Sequence, residues 1–66
     1  MRNHEKQRLQ ATIEGIKYMQ KMNIDKYVII NNLDSLIGNL RINASSDFIS
    51  CLFDIRQKVV LDKEIK

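Results

Sequence analysis

A chain of 66 residues that is 44% hydrophobic and 29% charged, with no proline, two glycines and a net charge of +3, has room for one small domain spanning residues 1–66. This composition excludes collagen-like, proline-rich and charge-driven disordered classes. No apolar run approaches the roughly 18 residues of a membrane span, and the charged start, MRNHEKQRLQ, lacks the apolar stretch of a secretory signal.

Apolar residues recur at three and four, so helices are expected throughout. The first runs from about residue 3 to 22. Leu9, Ile13 and Ile16 share one side of the wheel, beside Thr12, Met19 and Gln20. Ala11, Gly15, Tyr18 and Met22 form a second strip roughly opposite, at spacings of four, three and four. Lys6, Lys17 and Lys21 occupy a flank between the strips. Asn3 reads as the N-cap, followed by Glu5. Asn23 reads as the stop, because asparagine tolerates the left-handed conformation.

The second helix is expected over 25–41, with Asp25 as its cap. Ile29, Ile30, Leu33, Leu36, Ile37 and Leu40 make a core-facing stripe. The opposite side, Asn31, Asn32, Ser35, Gly38 and Asn39, is polar but nearly uncharged. A short strand over Lys26–Ile30 is the alternative, since Tyr, Val and Ile are individually poor helix formers. The third helix is expected over 46–63, after the turn Asn43-Ala44-Ser45-Ser46, with Ser46 or Asp47 as cap. Phe48, Leu52, Ile55 and Val59 form its main stripe. Ile49, Phe53 and Val60 widen it, with Arg56 between stripe and shoulder. Residues 63–66 are expected to fray. Short joints favour antiparallel neighbours, so the expected fold is a small all-α three-helix bundle. A domain this small buries only about 60% of its unfolded surface, which makes dimerisation a ready source of extra core.

Little here points to chemistry. His4, the sole histidine, sits at the start of a helix, without the rigid setting a general base needs. Asp54 and Lys58 are spaced as an ordinary helix-surface pair. Cys51 lies on the edge of the third stripe as a small hydrophobe; being alone, it has no partner for an intramolecular disulfide. There is no Cys/His cluster for a metal and no glycine-rich phosphate loop. The expectation is a non-enzymatic cytoplasmic protein with no catalytic residues, cofactor, metal or membrane contact.

Leu33-Asp34-Ser35-Leu36-Ile37 resembles a stretch of the small aspartyl-phosphate phosphatases that act on sporulation response regulators. Those are two-helix hairpins, and the resemblance implies response-regulator dephosphorylation. It stops at that stretch. The family's motif has a serine four residues before the aspartate, where this chain has Ile30, and a third helix has no counterpart there.

Charge is unevenly distributed. Residues 1–23 carry five Lys/Arg against two acids, residues 24–44 two against two, and residues 45–66 four against four. The whole excess lies on the first helix, on Arg2, Lys6, Arg8, Lys17 and Lys21. These are the candidate nucleic-acid contacts of a small dimeric transcriptional regulator. A helix-turn-helix built on Gly38 would place Asp34 at a packing position and put Asp47, Asp54 and Asp62 on the reading helix, facing phosphates. A ribbon-helix-helix would use Lys26–Ile30 as its strand.

The favoured function rests on apolar residues in excess of core needs. Ala11 and Gly15 let another helix approach closely, and Tyr18 and Met22 suit an interface. Ile49, Phe53, Arg56 and Val60 offer a second patch, an arginine among aromatic and aliphatic groups. The expected role is a regulator or inhibitor that occludes another protein, or that pairs with itself. The frequent Asn, Ile and Lys suggest an AT-rich gene, as in a low-GC bacterium or its phages and plasmids.

Overall fold

The computed structural model describes residues 1–65. Three helices, α1 (Asn3–Lys21), α2 (Lys26–Leu40) and α3 (Ser46–Val60), make an all-α three-helix bundle, with no strand among the described residues. Its extents are 31 × 19 × 16 Å, the long dimension being close to that of α1 alone. Lys26–Ile30 opens α2 rather than forming a strand, so a ribbon-helix-helix is not the fold. Asp25 decides this locally by accepting the Tyr27 N–H at 2.9 Å. Ile29 and Ile30 then enter the core in helical register with Leu33 and Ile37. No helix among the described residues is long and apolar enough to cross a membrane.

The helix ends show how side chains divert the backbone. α1 is capped by Arg2, and Asn3 is already helical. Glu5 causes the shift: its carboxylate reaches back to the Arg2 N–H at 2.9 Å, half of a capping box. α1 stops at Asn23, which is left-handed (φ 59°) as its residue type suggests. Asn23 N–H bonds to Gln20 C=O and Ile24 N–H to Met19 C=O, a Schellman ending.

α3 is capped by Ser45 rather than Ser46 or Asp47. The Ser45 hydroxyl is turned toward Glu5, and Asp47 accepts the Phe48 N–H at 2.9 Å. α3 ends at Val60, three residues before the expected stop, because Asp62 turns left-handed (φ 56°). Asp62 N–H bonds to Val59 C=O and Lys63 N–H to Lys58 C=O, a second Schellman ending. Lys26 secures it from α2. Its ammonium donates to Val60 C=O at 3.2 Å and pairs with Asp62 at 3.1 Å. The tail beyond this turn does not fray as expected: Ile65 is 2% exposed and packs into the core. Burying an isoleucine is worth about 1.5–3 kcal/mol, which offsets part of the entropy lost in ordering the short tail. Lys66 lies outside the described residues.

These contacts set an up-down-up order. Glu5 joins the starts of α1 and α3: its carboxylate accepts the Ser45 N–H at 2.8 Å and the Ser45 hydroxyl at 2.7 Å. Lys26 joins the start of α2 to the end of α3. The core has two parts. Near the α1–α2 turn, Ile16, Ile29, Ile30, Leu33, Ile55, Val59 and Ile65 pack together. At the other end, Ile37, Phe48 and Leu52 form a second cluster, and Leu9 packs against both. α2 packs most closely on α3, and α1 and α2 are the most loosely packed pair.

Candidate protein-interaction surface

The strip on α1 lies fully on the surface. Ala11, Gly15, Tyr18 and Met22 are all exposed, with Tyr18 at 63% and Met22 at 58%. A Cβ added at Gly15 would meet nothing within 4 Å, so packing within the bundle does not require a glycine there. The strip continues toward the N-terminus through Arg8 and His4, both exposed. His4, Arg8, Ala11, Gly15, Tyr18 and Met22 thus form one seam along a single face of α1, at alternating spacings of four and three, with the large side chains Tyr18 and Met22 toward the α1–α2 turn. Apolar periodicity alone ends at Ala11, because the two upper seam positions, His4 and Arg8, are polar.

The α3 shoulder divides. Ile49 and Val60 are half-buried and pack against the bundle's own clusters. Arg56 is engaged within the chain: its guanidinium pairs with Asp34 on α2, through Nε at 2.6 Å and Nη2 at 3.5 Å. Phe53 alone of the four remains well exposed, at 47%. The same pair accounts for Asp34, which lies within the stretch that resembles the phosphatases; here it bridges two helices. Asp54 and Lys58 form the expected surface pair at 3.2 Å.

Other apolar residues are exposed without helical spacing to mark them. Ile24, Tyr27, Val28 and Leu61 are exposed at the pole where α1 and α3 end and α2 begins, the pole nearest Tyr18 and Met22. Each follows or opens a helix, where wheel periodicity gives no signal. The opposite pole is basic. Arg2, His4 and Arg8 line a cavity of about 150 Å³ there, with Asn43 and Phe48 among its other walls. The Arg2 guanidinium donates to Asn43 C=O at 3.1 Å. Glu5 also borders this cavity, but its carboxylate is taken up by Ser45 and the Arg2 N–H. Those N–H bonds, Ser45 first, hold its pKa at about 2, well below its ordinary 4.5, although burial pushes the other way. Lys6, Lys17 and Lys21 are exposed on the flank of α1.

Two clefts run between helices. One, of about 330 Å³ between α1 and α3, is lined by Leu9, Ile13, Cys51, Ile55 and the returning Ile65, among others. The other, of about 160 Å³ between α1 and α2, includes Thr12, Gly15, Met19, Asn32 and Leu36 and no charged side chain. It adjoins the seam through Gly15, and the Asn32 amide approaches Met19 Sδ across it at 3.9 Å. Among the described residues no three His, Cys, Asp or Glu gather where a metal ion could bind.

The fold and this surface define a helical bundle with one helix face left unpartnered. Compared with protein-family models, curated proteins and solved structures, the chain matches none.

Proposed function

We propose that this chain is a non-enzymatic interaction protein of the cytoplasm, a regulator or inhibitor that lays α1 against another protein and occludes a functional site there. One observation carries the reading. In a chain that is 29% charged, the run Ala11, Gly15, Tyr18 and Met22 is uncharged and exposed, on the side of α1 away from a core formed without it. Occlusion needs a rigid face and no reacting groups. The frequent Asn, Ile and Lys fit an AT-rich gene, and with it an origin on a phage or other mobile element.

The test is capture of the target from the native host with tagged wild-type protein, followed by titration of the purified pair. A one-to-one complex is expected. Tyr18→Ala should weaken it about tenfold or more, as truncating an interface tyrosine commonly does, and Phe53→Ala is expected to do less. A complex indifferent to Tyr18→Ala would take the assignment away from α1.

The exposure of all five cations of α1 and its cap favours one second reading, a nucleic-acid-binding regulator. If all five met phosphates, affinity for duplex DNA would fall roughly 500-fold between 50 and 200 mM salt. Binding that ignores salt would dispose of that reading.

A further inference from the structure

We infer that the α1 seam takes one amphipathic helix from another protein. That helix is apolar where it covers Gly15, Tyr18 and Met22, and acidic at the end that reaches Arg2, His4 and Arg8. The inference rests on the proposed use of α1 as the binding face, and it adds the chemistry of the occupant.

Three features of the surface specify this occupant. The seam runs from His4 to Met22 as one long, narrow strip along α1, so the fitting shape is a second helix laid along it. Ala11 and Gly15 sit mid-seam, where small side chains let two helix backbones approach. Gly15 has no contact inside the bundle that requires it, so its bare backbone is open to an approaching helix. The uncharged cleft beside Gly15 offers apolar side chains of the occupant a place against Met19 and Leu36. The third feature is charge. Toward the α1–α2 turn the seam is aromatic and aliphatic, and toward the other pole it carries the cation Arg8, which shares one cavity with His4 and the capping Arg2. Glu5, the acid in that cavity, is buried and saturated with hydrogen bonds. A helix with carboxylates at that end meets opposite charge.

The same charges disfavour a second copy of this chain. Each α1 with its cap exposes Arg2, Lys6, Arg8, Lys17 and Lys21 against a single exposed acid, Glu14. Pairing two such helices would bring like charges together along their length.

The experiment uses the full chain and two fluorescent helical peptides that share one apolar stripe. One carries three glutamates at one end and the other carries three lysines there. Binding is followed by anisotropy at low salt. The glutamate peptide should bind at least tenfold more tightly than the lysine peptide, and Arg8→Glu should reverse that order. Tyr18→Ala should weaken glutamate-peptide binding at least tenfold, while Phe53→Ala leaves it unchanged. Gly15→Ala is the variant that separates binding from folding: the midpoint of thermal unfolding should rise while affinity falls.

Equal affinity for the two peptides would overturn the inference. So would light scattering that shows a dimer dissociated by Tyr18→Ala, or duplex DNA displacing the glutamate peptide. If both peptides fail while the captured target still depends on Tyr18, the occupant is wrong and the reading of α1 stands. If the target ignores Tyr18→Ala as well, both fall.

Discussion

Glu5 is the one buried charged side chain among the described residues, and its position makes a pH effect calculable in sign. Its carboxyl stays ionised down to about pH 2 in the folded chain, against an ordinary 4.5. A depressed carboxylate pKa stabilises the fold fully above 4.5, and that contribution is lost as pH falls from 4.5 toward 2. The unfolding temperature should therefore drop across that window, and Glu5→Gln should flatten the drop. Parallel profiles for the two proteins would contradict the assignment. Two backbone positions allow equally direct tests. Gly38 lies inside α2 with open space where a Cβ would go, so Gly38→Ala should stabilise by about 0.5–1 kcal/mol in urea unfolding. Asn23 is left-handed, so Asn23→Ala should cost about 1 kcal/mol while Asn23→Gly costs nothing. Asn23 could be read from the sequence because its signal is local. The burial of Glu5 could not, because its partner Ser45 lies 40 positions away.

At the scale of the elements, the three helices and their core stripes were legible because each stripe keeps helical spacing over several turns. Phe48, Leu52, Ile55 and Val59 are all buried as expected. The ends were less legible, since they depend on which side chain wins a backbone N–H. Glu5 moved the start of α1 to Arg2, and Asp62 cut α3 short. The returning tail was hidden because Ile65 follows that break, and a helical wheel does not extend across a reversal of the chain. Its weight is measurable. Ile65→Ala should cost about 2 kcal/mol, the lower end for a large-to-small core change, because the site lies at the margin of the core. In a domain this small that lowers the unfolding temperature by roughly 10 °C. Leu61→Ala, half-exposed beside the same turn, should change stability by no more than about 0.5 kcal/mol. Equal effects would mean that the tail does not pack as described.

The whole molecule is polarised. One pole exposes Tyr18, Met22, Ile24, Tyr27, Val28 and Leu61, and the other carries Arg2, His4 and Arg8 together with a single well-exposed apolar residue, Ile42. Part of the candidate surface was visible in the sequence, because Ala11, Gly15, Tyr18 and Met22 repeat at helical spacing on the side away from the core stripe. The α3 patch was not separable there. Whether Ile49, Arg56 and Val60 face outward depends on how α2 and α3 close together, and Asp34 claims Arg56 only once they have. The seam's upper end is hidden in the sequence for a related reason: Arg8 counts there as part of a charge excess, and only the fold sets it in line with the apolar strip. Raising the salt concentration is expected to weaken target binding without lowering the unfolding temperature much, since the exposed ion pairs of the bundle add little to stability. A large loss of stability in salt would contradict that separation.

α1 is the helix with the least of its surface committed inward: only Glu5 and Ile16 are buried, against four residues each on α2 and α3. Stability within such a bundle is uneven, and its amides exchange with solvent in cooperative blocks. α1 should form the most labile block, releasing its protons while the α2–α3 pair stays closed. Because the seam is on that helix, a bound partner would protect the very amides that exchange soonest. Hydrogen exchange on the free chain and on the complex would thus register occupancy as a slowing confined to α1, with α2 and α3 almost unchanged.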